Sequence, residues 1–104
     1  MGMYNKLVRD KIPAIIENNG EEAIVEVLGD SQYKEELDKK ILEEINEYLD
    51  SDETEELADV LEVLYAILEY KQISMEELEI IRGQKKEKRG AFKDRLYLHG
   101  VKEK

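Results

Sequence analysis

The chain has 104 residues, 40% of them charged and 41% hydrophobic, which is enough apolar side chain to fold and room for one compact domain spanning residues 1–104. Having no cysteine and only one histidine, His99, it has no disulfide scaffold, thiol nucleophile, thiolate metal cage or multi-histidine site, so any bound metal is hard and held by oxygen. The net charge of -10 is concentrated: residues 1–15 sum to +2, residues 16–81 to -18 and residues 82–104 to +6. So acidic a body disfavours nucleic acid and anionic membranes as partners, because both bind through neutralised phosphates. A small phosphate ester can still approach if a divalent cation stands between it and the carboxylates.

After a short basic lead, Asp10 is placed to cap a first helix over residues 11–18. Pro13 lies in its first turn, where a missing N–H costs little, and Asn18-Asn19-Gly20 ends it. The stretch Ala23-Ile24-Val25-Glu26-Val27-Leu28 is short and β-branched, suiting a strand or extended arm that closes at Gly29-Asp30. From 34 to 50, Leu37, Ile41, Ile45 and Tyr48, joined by Leu42 and Leu49, recur every three or four residues and draw one apolar stripe on a second helix.

Asp50-Ser51-Asp52 breaks that pattern, and a third helix is predicted over 54–71, capped by Thr54 or Asp52. Between Leu57 and Leu68 ten of twelve residues are apolar, so this helix asks for cover on nearly all sides and a homo-oligomer is expected. Ser74-Met75-Glu76-Glu77 reads as a capping box opening a fourth helix that carries Leu78 and Ile81 into the core and frays over Gln84–Gly90. Phe92 to Val101 alternates loosely and suits a strand beside residues 23–28. The expectation is therefore an all-α, four-helix chain with an antiparallel central hairpin and one short β pairing.

Chemistry is concentrated in Glu43-Glu44-Ile45-Asn46-Glu47 and Glu56-Leu57-Ala58-Asp59. Residues three apart on a helix share a face, so Glu44 with Glu47, and Glu56 with Asp59, each make a two-carboxylate surface. The short connection Asp50–Glu53 makes the two helices neighbours that can bring these surfaces together. A quarter-acidic chain throws up acidic runs on exposed helices by composition alone. Glu56 and Asp59, however, project among Val60, Val63, Ala66 and Ile67, and acids on an apolar face need a partner. The hairpin's own lysines, Lys34, Lys39, Lys40 and Lys71, are expected towards its open end, which leaves Mg²⁺ or Mn²⁺ as the simpler partner.

Glu43-Glu44-x-x-Glu47 followed by Glu56-x-x-Asp59 resembles the signature of the MazG-like, all-α nucleoside triphosphate pyrophosphohydrolases, which include phosphoribosyl-ATP pyrophosphohydrolase. The opening Tyr4-Asn5-Lys6-Leu7-Val8-Arg9-Asp10-Lys11-Ile12-Pro13 and the closing Lys88-Arg89-Gly90-Ala91-Phe92 look like the ends of a small single-domain branch of that superfamily. The resemblance implies Mg²⁺-dependent cleavage of a nucleoside triphosphate between its α- and β-phosphates, giving a monophosphate and pyrophosphate. It implies Glu44, Glu47, Glu56 and Asp59 as metal ligands, with Glu43 and Glu47 as the acids tied to catalysis. Glu43 has three open roles: supporting the ligands from behind, binding a further metal, or acting as base for the attacking water.

A pyrophosphate leaving group needs cations, and Lys6, Arg9 and Lys11 from the front with Lys86 and Arg89 from the back are the candidate phosphate contacts. Gly90 allows close backbone approach to a ligand, and Phe92 is expected to anchor the tail in the core. Two departures from the family stand out. The eight-residue gap between Glu47 and Glu56 is shorter than in many members, leaving less room for base recognition, and Ala91 replaces an expected second glycine. No stretch approaches the roughly 20 apolar residues that span a bilayer and the front lacks a signal-type apolar core, so the expected location is cytoplasmic. Two rival readings remain: a phosphoribosyl-ATP pyrophosphohydrolase, and a noncatalytic acidic helical module that binds a basic partner.

Overall fold

A computed structural model of the chain describes residues 4–104. Among these residues there are four helices, α1 Ile12–Asn18, α2 Asp30–Ser51, α3 Thr54–Lys71 and α4 Met75–Arg89, and no strand. The fold is all-α, and the chain divides into two units, Met1–Gln72 and Ile73–Lys104.

In the first unit, α2 and α3 pack along one another as an antiparallel hairpin. Tyr33 near the start of α2 meets Tyr70 near the end of α3, ring centroids 5.9 Å apart and edge-on, while Glu44 at mid-helix meets Glu56 and Asp59. The reversal takes only two residues because Asp52 adopts a left-handed conformation, φ 58°, its N–H donating to the Tyr48 carbonyl at 2.7 Å. Asp52 thus ends α2 and does not cap α3. Glu53 occupies the cap position without a side-chain cap bond, and its own N–H donates to the Ser51 hydroxyl oxygen. The core of the hairpin is narrow. Leu37, Val63 and Leu68 are buried, whereas Leu42, Ile45 and Leu49 on α2 and Leu57, Leu61 and Tyr65 on α3 are exposed.

Two boundaries differ from the sequence reading for local reasons. Helix α2 begins at Asp30, not 34: Gly29 accepts the Tyr33 N–H at 2.9 Å as N-cap, and the acidic Asp30 complements the positive end of the helix dipole. Helix α1 starts from Lys11 with no side-chain cap, so Asp10 does not serve that role, while Pro13 sits in the first turn as expected. Residues 23–28 are not a strand. A lone segment has no ladder to satisfy its backbone groups, and Ile24, Val25 and Val27 stay exposed.

The second unit is α4 and its tail. The Ser74 hydroxyl accepts the Glu77 N–H at 3.1 Å, the bond the capping box predicts. Contrary to the expected fraying, α4 stays helical to Arg89. Its Lys, Glu and Gln residues are good helix formers, Glu79 pairs with Arg82, Lys86, Lys88 and Arg89 complement the carboxyl end of the dipole, and Gly90 at φ 82° ends it. Leu78 is half-buried, but Ile81 is exposed. Residues 92–101 form no strand, and Phe92, 97% exposed, anchors nothing in a core. Because Leu37 is the most completely covered apolar side chain, Leu37→Ala is expected to destabilise the first unit by about 2–4 kcal/mol in urea unfolding.

Candidate metal centre

The antiparallel register sets Glu44 on α2 against Glu56 and Asp59 on α3, with one carboxylate oxygen from each lying within 4.8 Å of the others. Glu44, which composition alone makes look like one more surface acid, is the most enclosed of the three at 8% exposure, while Glu56 and Asp59 are half-buried. Glu44 Oε1 has Lys40 Nζ at 3.4 Å, but its Oε2 is buried with no hydrogen-bond partner among the described residues. A buried carboxylate with an unpartnered oxygen, grouped with two further acids, is an arrangement a hard divalent cation can satisfy, and the donor set, oxygen throughout, suits Mg²⁺ or Mn²⁺. Glu47, expected as a fourth ligand, stands beside Glu44 and Glu56 but outside the trio of mutually close oxygens.

The electrostatics follow the geometry. Burial, then the neighbouring Glu47, raise the Glu44 carboxyl above its ordinary value, and Lys40 only partly opposes them. Desolvation raises Glu56 as well, reinforced by Asp59 and Glu44. At Glu43 burial also acts upwards, but hydrogen bonds from Lys6 at 3.1 Å and Lys40 at 3.3 Å outweigh it and hold the group below the usual range. Lys6 is raised in turn by that bond and by the charge of Glu43.

The predicted phosphate contacts divide three ways. Lys6 pairs with Glu43, and Arg9 Nη2 donates to Asp59 Oδ1 at 2.6 Å with its Nη1 4.0 Å from Glu62, so both are drawn into the acidic cluster. Lys11 is exposed and forms no ion pair among the described residues. Lys86 and Arg89 lie exposed in the last turn of α4, in the second unit. Leu7, Val8, Arg9 and Asp10 line one side of a cavity of about 400 Å³ whose other walls include Glu44 and Asp59.

Lys40 overturns one expectation, because it reaches Glu43 and Glu44 instead of lying remote at the open end. Its spacing of three and four residues before those acids was the available signal. Glu62, three residues beyond Asp59, carries the same kind of signal. No family model, curated protein or solved structure matches this chain.

Raised carboxyl pKa values mean that the folded chain holds the Glu44 and Glu56 protons more tightly than the unfolded chain, so these two groups contribute stability that is lost as pH rises through the carboxylate range, opposite in sign to the lowered Glu43. Glu44→Gln, whose new amide can donate to the acids beside it, is expected to stabilise the ion-free protein by about 1 kcal/mol near neutral pH. Urea unfolding in chelator should show that advantage shrinking on acidification; an advantage independent of pH would contradict the assignment.

Proposed function

We propose that the chain is a MazG-like nucleotide pyrophosphohydrolase that cleaves a nucleoside triphosphate between its α- and β-phosphates, in a house-cleaning role and with Mg²⁺ as cofactor, Mn²⁺ serving in its place. The observation that carries this reading is the convergence of Glu44, Glu56 and Asp59, whose carboxylate oxygens lie within 4.8 Å of one another, with Glu44 buried among the described residues. The sequence resemblance adds the substrate class.

Glu44, Glu56 and Asp59 would hold the ion. When bound, it supplies positive charge that offsets the triphosphate and polarises the reacting groups. The remaining work falls to the chain. Glu43, kept ionised by Lys6 and Lys40, is a poor proton acceptor and is better suited to positioning those lysines. Glu47, exposed beside Glu44 and Glu56, is the acid left to take the proton from the attacking water as the bridging P–O bond breaks and pyrophosphate departs. Arg9, on the cavity wall, is the cation best placed for phosphate oxygens.

Two further parts of the proposal have physical support. The exposed stripes Leu42, Ile45, Leu49 and Leu57, Leu61, Tyr65 on the hairpin favour a homodimer or homotetramer that covers them. A cytoplasmic location agrees with a nucleotide substrate, and no helix among the described residues is long and apolar enough to cross a membrane.

A panel of standard and modified nucleoside triphosphates, assayed with and without Mg²⁺ for monophosphate and pyrophosphate, tests the reaction. The expected result is paired, ion-dependent release of both products, with activity reduced at least about a hundredfold in Glu56→Gln while its circular dichroism is unchanged. Orthophosphate with a diphosphate would contradict the cleavage position. No product from any substrate, with Glu56→Gln still binding a basic partner, would favour the noncatalytic acidic module.

A further inference from the structure

Besides Lys40 on α2, the cations at the acidic cluster come from the chain's own lead. Residues 4–8 have no regular secondary structure, and no backbone hydrogen bond joins them to the helices. Their polar tie to the hairpin is the Lys6–Glu43 bond, and the next tie is Arg9 to Asp59. Both pairs are well hydrated, with Arg9 and Asp59 side chains 57% and 38% exposed, and the apolar anchoring is slight, since Leu7 is half-buried and Val8 exposed. Hydrated ion pairs of this kind hold weakly and exchange partners readily.

Arg9 nonetheless sits where it matters. Its guanidinium donates to Asp59, one of the three acids whose oxygens converge, and it lines the cavity that Glu44 and Asp59 also line. A divalent cation among Glu44, Glu56 and Asp59 would compete with that bond and repel the guanidinium at short range. An arginine released there faces the cavity with its planar donor fork free, and that fork matches the oxygens of a phosphate chain.

Resting on the metal-site reading above, we propose that residues 4–11 form a strap in which Arg9 is the cation that competes with a divalent ion for Asp59. Ion binding displaces Arg9 from Asp59, and the freed guanidinium then grips the anionic phosphates of the incoming ligand. Arg9 is thus a competitor of the ion and an ally of the polyphosphate, so one substitution has opposite effects on the two ligands.

Calorimetric titration of the full chain tests this. Mn²⁺ alone should bind Arg9→Gln about two- to fivefold more tightly than wild type. Inorganic pyrophosphate in saturating Mg²⁺ should bind the same variant about tenfold more weakly. Lys71→Gln, which removes an equal charge at the last turn of α3, should change neither affinity by as much. Unchanged or weakened Mn²⁺ binding in Arg9→Gln, with binding lost in Glu44→Gln, would overturn the strap and leave the metal site standing. No Mn²⁺ binding to wild type or to Arg9→Gln would overturn both.

Discussion

Mutual repulsion among Glu44, Glu56 and Asp59, imposed by the register of two packed helices, is the constraint on which the rest of this structure depends. Three carboxylates within 4.8 Å do not gather by their own preference. They are held there because Leu37, Val63 and Leu68 bury together and the two-residue turn through Asp52 lets α3 return alongside α2. Apolar packing provides the free energy, and the acids carry the unfavourable part. This is the usual relation between a scaffold and a site built on it.

The chain offsets that cost with its own cations, incompletely. Lys40 serves Glu43 and Glu44 from the same helix, Lys6 reaches Glu43 from the lead, and Arg9 takes Asp59. Among the described residues, Glu44 Oε2 is left without a partner and Glu56 is bonded to no basic side chain. The uneven charge of the sequence thereby gains a structural sense, since its basic front folds onto the most acidic part of the hairpin. Partial neutralisation permits the acids to stay together while leaving them receptive to an ion.

Much of this was legible in the residues. The bounds of α3 and the existence of α2 follow from apolar spacing, because a stripe at three and four residues has one periodic solution, and Ser74 announces the start of α4 by its bond to the Glu77 N–H. Less was legible where the outcome depends on partners distant in sequence. Residues 23–28 and 92–101 have strand-like composition, but composition cannot supply a ladder. The pairing of the acids across the hairpin was readable from Glu44, Glu56 and Asp59 at helical spacing with a short turn. Their basic partners were less so, because Arg9 and Lys6 come from an irregular lead whose path no periodicity describes. Glu47 was placed on the Glu44 face by its spacing and among the ligands by family likeness; the structure sets it beside Glu44 and Glu56 but outside the trio of mutually close oxygens.

Glu44, Glu56 and Asp59 are the one group of acids among the described residues close enough together to share a hard cation. Adding substoichiometric Mn²⁺ to isotope-labelled protein and following paramagnetic broadening of the amide resonances tests that directly. The predicted result is selective loss of signals around Glu44, Glu56 and Asp59, reversed by excess Mg²⁺, with residues near Lys71 unaffected. Broadening spread evenly over the acidic surface, or none at all, would contradict it.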